Sequence, residues 1–244
     1  MSGHSHARTV KHQKELSAKK RSQMFSKVTR LISVAVKEAG ANPETNSKLR
    51  IAIEQGKLCN MPKENVERAI KRAAGGEEGE ENLEEILFEA YGPGGIAILI
   101  EGIVDNRNRA LGEIKQILGQ YGGKLVGEGS VKWLFERKGV IEIEKSKYED
   151  KTKEDLEMLV IEAGAQDIYW HEDLLDVYTK PEELEIVRKN LEEKGIMASS
   201  VSLDWVAKEE IALENQEEKA SCHKLFDALD ENDFVQDIYS NLKE

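Results

Sequence analysis

ILFEAYGPGGIAILIEGIV, residues Ile86–Val104, is the stretch at which the chain changes character. Two apolar runs, Ile86–Tyr91 and Ile96–Val104, flank Gly92-Pro93-Gly94-Gly95, the turn chemistry that folds two strands into a hairpin. From Ser17 to Gly75 the apolar residues before it have helical spacing, and beyond it strands alternate with helices. The expected fold class is therefore α+β, with a helical part followed by two α/β sandwich parts.

Working back from the hairpin, Glu77–Glu85 carries six acids and is expected to be a solvated linker. Before it, Phe25, Val28, Ile32, Ala35 and Ala39 recur at helical spacing from Ser17, and Gly40 with Asn42-Pro43 supplies a stop. A second helix is expected from Asn46, with Leu49, Ala52, Ile53 and Gly56 inward. Pro62 suits the first turn of a third helix, whose core face is Val66, Ala69, Ile70 and Ala73 and which ends at Gly75-Gly76. Residues 1–76 thus read as a mobile arm, up to about residue 15, and a small antiparallel three-helix bundle.

Forward from the hairpin, a helix is expected over Arg107–Tyr121, with Leu111, Ile114, Ile117 and Leu118 inward, and then a strand over Val131–Phe135. Within residues 137–205 the order is strand Val140–Ile143, helix Lys153–Ala163, strands Asp167–Trp170 and Leu175–Tyr178, helix Glu182–Glu193 and strand Ala198–Trp205. That is βαββαβ, a ferredoxin-like unit. The tail, with a helix over Glu217–Leu229 and a strand over Phe234–Tyr239, is expected to complete the middle part. Residues 84–136 plus 206–244 would then form a discontinuous α/β domain with 137–205 inserted in it.

Charge is distributed unevenly. The chain of 244 residues has a net charge of -12, yet its first 37 residues hold nine Lys or Arg against the single acid Glu15. Up to Gly75 there are 16 Lys or Arg and 6 Glu, a net +10, which leaves -22 for the rest. A local excess of cations on an acidic protein is suited to a polyanion, so nucleic acid is the expected partner. The candidate contacts are Arg8, Lys11, His12, Lys14, Lys19, Lys20, Arg21, Lys27 and Arg30, with Lys63, Arg107 and Arg109 as secondary candidates. Few aromatics interleave with these cations, which favours phosphate contact over base stacking. Arg107 and Arg109 follow Asp105-Asn106 at the start of a helix, where cations oppose the macrodipole and gain nothing from the helix itself.

Other function classes find little support. Cys59 and Cys222 are far apart and give neither a disulfide framework nor a zinc spacing. His4, His6 and His12 have no carboxylate or thiol beside them to complete a metal set, so no metal is expected. Gly92–Gly95 and the glycines of 119–129 lack the phosphate-loop and dinucleotide spacings. No nucleophile elbow or Cys-centred motif occurs, and acids are too numerous for any pair to be informative. We therefore expect no catalytic residue, no cofactor and no small-molecule substrate. Glu142 and Glu144 occupy the strand positions where an RNA-binding sheet of this topology carries aromatics, so that sheet is not expected to read RNA. His171, Glu172 and Asp173 fall at a predicted hairpin turn, where polar residues belong. No apolar run approaches membrane-spanning length, Ser2 rules out myristoylation, and a cytoplasmic protein is expected.

The opening Gly3-His4-Ser5, Lys11-His12, Phe25 with Lys27, Asn60-Met61-Pro62-Lys63 followed by Arg68-Ala69-Ile70, Tyr91-Gly92-Pro93, Asp105-Asn106-Arg107-Asn108-Arg109, Gly122-Gly123 and Gly129-Ser130-Val131 together resemble the YebC family. The resemblance implies a three-domain α/β protein with an N-terminal helical bundle and a non-enzymatic role in gene expression. Members are described as DNA-binding transcriptional regulators. Others are ribosome-associated translation factors that relieve stalling at difficult stretches such as proline runs, and they include a mitochondrial translational activator. The chain departs from the family pattern at His6-Ala7, where Lys-Trp is usual, and at Ser22, where Gly is usual. A contact made by that Trp does not carry over. The reading is a nucleic-acid-binding regulator; because no helix-turn-helix signature is recognisable and a basic arm followed by a bundle suits a shaped RNA surface, ribosomal RNA is slightly preferred over DNA as target, with a protein-interaction scaffold as a further alternative.

Overall fold

A computed structural model describes residues 18–75, 83–171 and 173–243. Expectations for the arm, for most of the acidic linker and for Glu172 lie outside these residues. The elements in chain order are α1 (Ala18–Ala39), α2 (Ser47–Leu58), α3 (Lys63–Gly75), β1 (Glu84–Tyr91), β2 (Ala97–Val104), α4 (Arg107–Gln120), β3 (Lys124–Val126), β4 (Phe135–Glu144), α5 (Lys153–Glu162), β5 (Asp167–His171), β6 (Leu174–Thr179), α6 (Leu184–Glu193), β7 (Ser200–Ala207), α7 (Gln216–Asp230) and β8 (Val235–Ser240). This is the mixed helix and sheet class that the sequence predicts. Two compact units are present, one of residues 135–208 and one containing the other described residues.

The larger unit begins with the three helices, whose apolar stripes meet in one core of Val28, Ile32, Ala35, Leu49, Ala52, Met61, Val66 and Ala69. Asn46 fixes the first corner. Its side chain accepts from Leu49 N at 3.0 Å, capping α2, and its amide donates to Ala35 O at 2.7 Å and Gly40 O at 2.8 Å, satisfying carbonyls at the end of α1. The second corner is a tight C-terminal cap on α2. Met61 N donates to Gly56 O at 2.8 Å across Asn60, which adopts φ 56, a left-handed conformation that asparagine tolerates. Pro62 then directly precedes α3.

The same unit continues in an antiparallel sheet of order β3-β1-β2-β8, with the tail strand β8 paired to β2 from Ile98↔Ser240 to Gly102↔Val235. Helices α4 and α7 supply Ile114, Leu118, Leu225, Phe226 and Leu229 to the core beneath Phe88, Ile98 and Ile100. Ile98, Ile100, Ile114 and Leu118 have no exposure. Each contributes on the order of 2 kcal/mol of transfer free energy.

Several sequence expectations are corrected here. Glu84 and Glu85 belong to β1 rather than to the linker. Leu111 is 40% exposed, and Ala110 takes the inward place on α4. The strand expected over Val131–Phe135 is a helical turn over Lys132–Leu134, with Phe135 opening β4. The cause is Glu89, which draws in backbone donors of this segment: Gly129 N at 2.6 Å, Val131 N at 2.6 Å and Lys132 N at 2.9 Å. Those amides cannot also pair in a ladder. The strand that does flank β1 is the three-residue β3, reached through Gly122 and Gly123. A Cβ at Gly123 would lie 3.0 Å from both Leu118 Cδ2 and Tyr91 O.

The smaller unit has the expected βαββαβ order and a sheet ordered β5-β6-β4-β7. Thr152 and Asp155 cap α5 reciprocally. Gly139 allows α6 to close on the sheet, since a Cβ there would overlap Thr179 Oγ1 and lie 2.9 Å from Leu184 Cβ. Glu142, read from the sequence as a displayed acid, is buried at 4% exposure.

Candidate nucleic-acid interface

Helix α1 carries the described part of the basic stretch, and its geometry sorts the cations by role. Gln23, Lys27 and Arg30 recur at helical spacing and form one stripe. Gln23 Nε2 donates to Glu231 O at 2.8 Å, Lys27 Nζ to Asp230 O at 3.0 Å and Asp230 Oδ1 at 2.8 Å, and Arg30 Nη1 to Ile103 O at 3.1 Å. This stripe ties the bundle to the ends of β2 and α7. Lys27 and Arg30, predicted to face a polyanion, have their cationic heads turned inward onto the rest of the unit. Lys27 keeps only 13% of its side-chain exposure.

Lys20 and Arg21 lie at the outer end of the same helix and are exposed. Lys19 is in the helix, its side chain outside what the structure describes, as are Arg8, Lys11, His12 and Lys14 altogether. Lys63 extends into solvent and is 3.5 Å from Glu67 one turn on. Exposed pairs of this kind contribute little.

The second cationic element was not predicted. Arg68 and Arg72 are spaced i, i+4 on α3, and with Phe25, Ser26 and Thr29 of α1 and Met61, Asn65 and Ala69 they line a groove of about 250 Å³. Arg68, Lys71 and Arg72 are all exposed. Their signal in the sequence was the cation spacing in the last two turns of α3, masked by a reading of that helix for its apolar face alone. Elsewhere in the bundle Lys48 is 2.6 Å from Glu38 and 3.4 Å from Glu85. Burial lowers its pKa, but hydrogen bonding and charge from these two acids outweigh that and hold it above the usual lysine range.

Arg107 and Arg109 prove to have local partners. Asn106 is the N-cap of α4, accepting from Asn108 N and Arg109 N at 3.1 Å each. Arg109 lies 2.5 Å from Asp105 Oδ1 and 3.8 Å from Glu113, so its charge is balanced where it would otherwise oppose the helix dipole. Arg107 sits 6.0 Å from the Phe88 ring centroid.

Among the described residues no group of three or more His, Cys, Asp or Glu side chains is arranged to hold a metal ion, and no helix is long and apolar enough to cross a membrane. Cys222 is buried, and desolvation, reinforced by Glu218, pushes its thiol pKa up to about 11. That is the opposite of an activated nucleophile.

Comparison with known proteins matches residues 5–76 to the TACO1/YebC protein N-terminal domain and residues 83–242 to the TACO1/YebC second and third domain. A probable transcriptional regulatory protein of Persephonella marina is 43% identical over 244 residues, covering 100% of this chain and 96% of the relative. One from Caldanaerobacter subterraneus is also 43% identical, covering 100% and 98%. The crystal structure of a conserved hypothetical protein from Aquifex aeolicus superimposes with a TM-score of 0.84 at 41% identity, over 92% of this chain and 90% of that one. With both family models matched in order along nearly the whole chain, this protein belongs to the TACO1/YebC family.

Proposed function

We propose that this protein is a non-enzymatic regulator of gene expression that binds nucleic acid through its bundle, using Lys20, Arg21, Arg68, Lys71 and Arg72 together with the preceding cations Arg8, Lys11, His12, Lys14 and Lys19. The observation that carries the reading is the sorting of charge on α1. Lys27 and Arg30 hold their charge against the rest of the unit, whereas Lys20 and Arg21 are exposed in the first described turn of the helix. A solvated helix face would carry mixed charge, and this segment has almost none of the opposite sign. Residues 1–76 are the binding domain in this reading. The acidic domains, 84–136 with 206–244 and the inserted 137–205, are repelled by phosphate and meet protein instead.

Ribosomal RNA is the favoured target, in a cytoplasmic translation factor that relieves stalling. Helices α2 and α3 are joined by four residues, 59–62, a length used by helix-turn-helix proteins, but the early turns of α3 carry Glu64 and Glu67. A DNA recognition helix places those turns in the major groove between phosphates, where two acids oppose binding. The names of the relatives, probable transcriptional regulatory proteins, favour a second reading as a DNA-binding transcriptional regulator. Sucrose-gradient sedimentation tests the first. The protein is expected to travel with ribosomes, and Lys20→Glu with Arg21→Glu is expected to release it. A profile unchanged by those reversals sinks the ribosomal reading, and a promoter footprint that survives excess nonspecific DNA establishes the second.

A further inference from the structure

The groove between α1 and α3 has a composition that simple phosphate contact does not require. Its apolar surface comes from Phe25, Met61 and Ala69, its polar groups from Ser26, Thr29 and Asn65, and its cations from Arg68 and Arg72. Phe25 is partly buried against the bundle core, which holds the ring in place. The Thr29 hydroxyl donates to Phe25 O at 2.7 Å, so its oxygen remains an acceptor toward the groove. Met61 is positioned by the cap on α2 through its 2.8 Å bond to Gly56 O. One helical turn before Phe25 stands Arg21, also exposed.

From this arrangement we propose that the α1/α3 groove is a binding site for one unpaired nucleotide of a single-stranded RNA segment. The base would lie on Phe25 and Met61, and the flanking phosphates would meet Arg68, Arg72 and Arg21. Several features select this occupant over others. The volume of about 250 Å³ suits a single nucleobase with part of its sugar and is too small for a duplex or a folded protein surface. Guanidinium groups at the rim complement phosphate with planar, bidentate geometry, which an apolar peptide does not offer. Residues 1–75 carry net +10 within a protein of -12, so an anionic occupant is drawn to this end of the chain. Asn65 and Ser26 each donate and accept, and Thr29 accepts, matching a base edge and a 2′-hydroxyl. Bases are already unstacked in RNA loops and bulges, so none has to be extracted from a duplex.

The proposal rests on the nucleic-acid reading of the bundle, and one experiment separates the two. The full chain is titrated against a short single-stranded RNA containing one 2-aminopurine, and against the same strand annealed to its complement. Expected are a preference of about tenfold for the single strand, in line with one stacked base, and a change in 2-aminopurine fluorescence on binding. Phe25→Leu is expected to remove the preference, and Ser26→Glu, at an exposed position of the rim, to remove it with no effect on folding. Thermal unfolding of both variants identifies any loss due to misfolding, and the Ser26 variant decides if Phe25→Leu is unstable. Equal affinity for single strand and duplex, unchanged in both variants, overturns the groove site while leaving salt-dependent nucleic-acid binding in place. Absence of binding to either RNA overturns the groove site and the ribosomal reading together and leaves only the DNA-binding one.

Discussion

Glu89 is a buried side chain, 3% exposed, that nevertheless favours its charged form. Burial raises its pKa, but the three amide donors of Val131, Gly129 and Lys132 more than offset that and hold it below the usual glutamate range. Because the folded pKa is depressed, the stabilisation is fully present above the unfolded pKa and is lost as pH falls through the folded one. Glu89→Gln leaves a donor where acceptors are needed, so it is expected to destabilise by on the order of 2 kcal/mol at neutral pH. Urea denaturation checks this, and the gap between wild type and variant should shrink as the pH is lowered past the carboxylate range. Asn46 is a second residue with more than one duty. Asn46→Ala removes the cap of α2 and the amide donor to Ala35 O and Gly40 O at the end of α1, an expected loss of about 2 kcal/mol. Loss below about half a kcal/mol in thermal unfolding would contradict the assignment. Both residues were present in plain view in the sequence, but neither role was legible there. The partners of Glu89 lie 40 residues or more away, and its side chain is invisible to any pattern of hydrophobic period.

At the scale of elements, α1 shows what periodicity conveys and what it leaves out. Val28, Ile32 and Ala35 announced a core stripe, and the structure buries all three. The second stripe, Gln23, Lys27 and Arg30, looks in sequence like any solvated face, since which carbonyls await it depends on the far ends of β2 and α7. Charge counting therefore assigned Lys27 and Arg21 the same role. They are expected to separate in experiment. Lys27→Met should lower stability by about 1–2 kcal/mol, through the loss of a partly buried charged hydrogen bond and the stranding of Asp230. It should leave RNA affinity within about twofold. Arg21→Gln should do the reverse, with unfolding unchanged and affinity lowered at moderate salt, and identical effects of the two substitutions would refute the division. Strands were legible wherever apolar runs were long. They were not legible at Val131–Phe135, where an apolar and aromatic composition resembles a strand but Glu89 has claimed the amides. The short β3 offered too few residues for any period to emerge, and its place beside β1 depends on the close approach at Gly123.

For the whole molecule, the central physical problem is that a protein of charge -12 is proposed to bind a polyanion. Segregation of charge makes this possible, because at physiological salt the Debye length is about 8 Å and a phosphate on the bundle is largely screened from acids farther away. At about 10 mM salt the Debye length reaches roughly 30 Å, and acids of the same unit, such as those of α7, then act on the same phosphates. Lowering salt therefore has two opposing effects. It strengthens binding through counterion release, with a logarithmic slope of about -0.7 to -0.9 per neutralised phosphate, so that six contacts give roughly a thousandfold between 200 and 50 mM. It also lengthens the reach of the acidic domains. The expected plot of log affinity against log salt is linear above about 50 mM and flattens toward 10 mM. Lys20→Glu with Arg21→Glu should reduce the linear slope by about two contacts' worth. In contrast, neutralising exposed acids of α7, such as Glu217→Gln with Asp227→Asn, should leave that slope unchanged and lessen the low-salt bend. A plot that stays linear down to about 10 mM would mean the acidic domains are electrically silent toward the ligand at every salt, and the segregation of charge would then serve solubility alone.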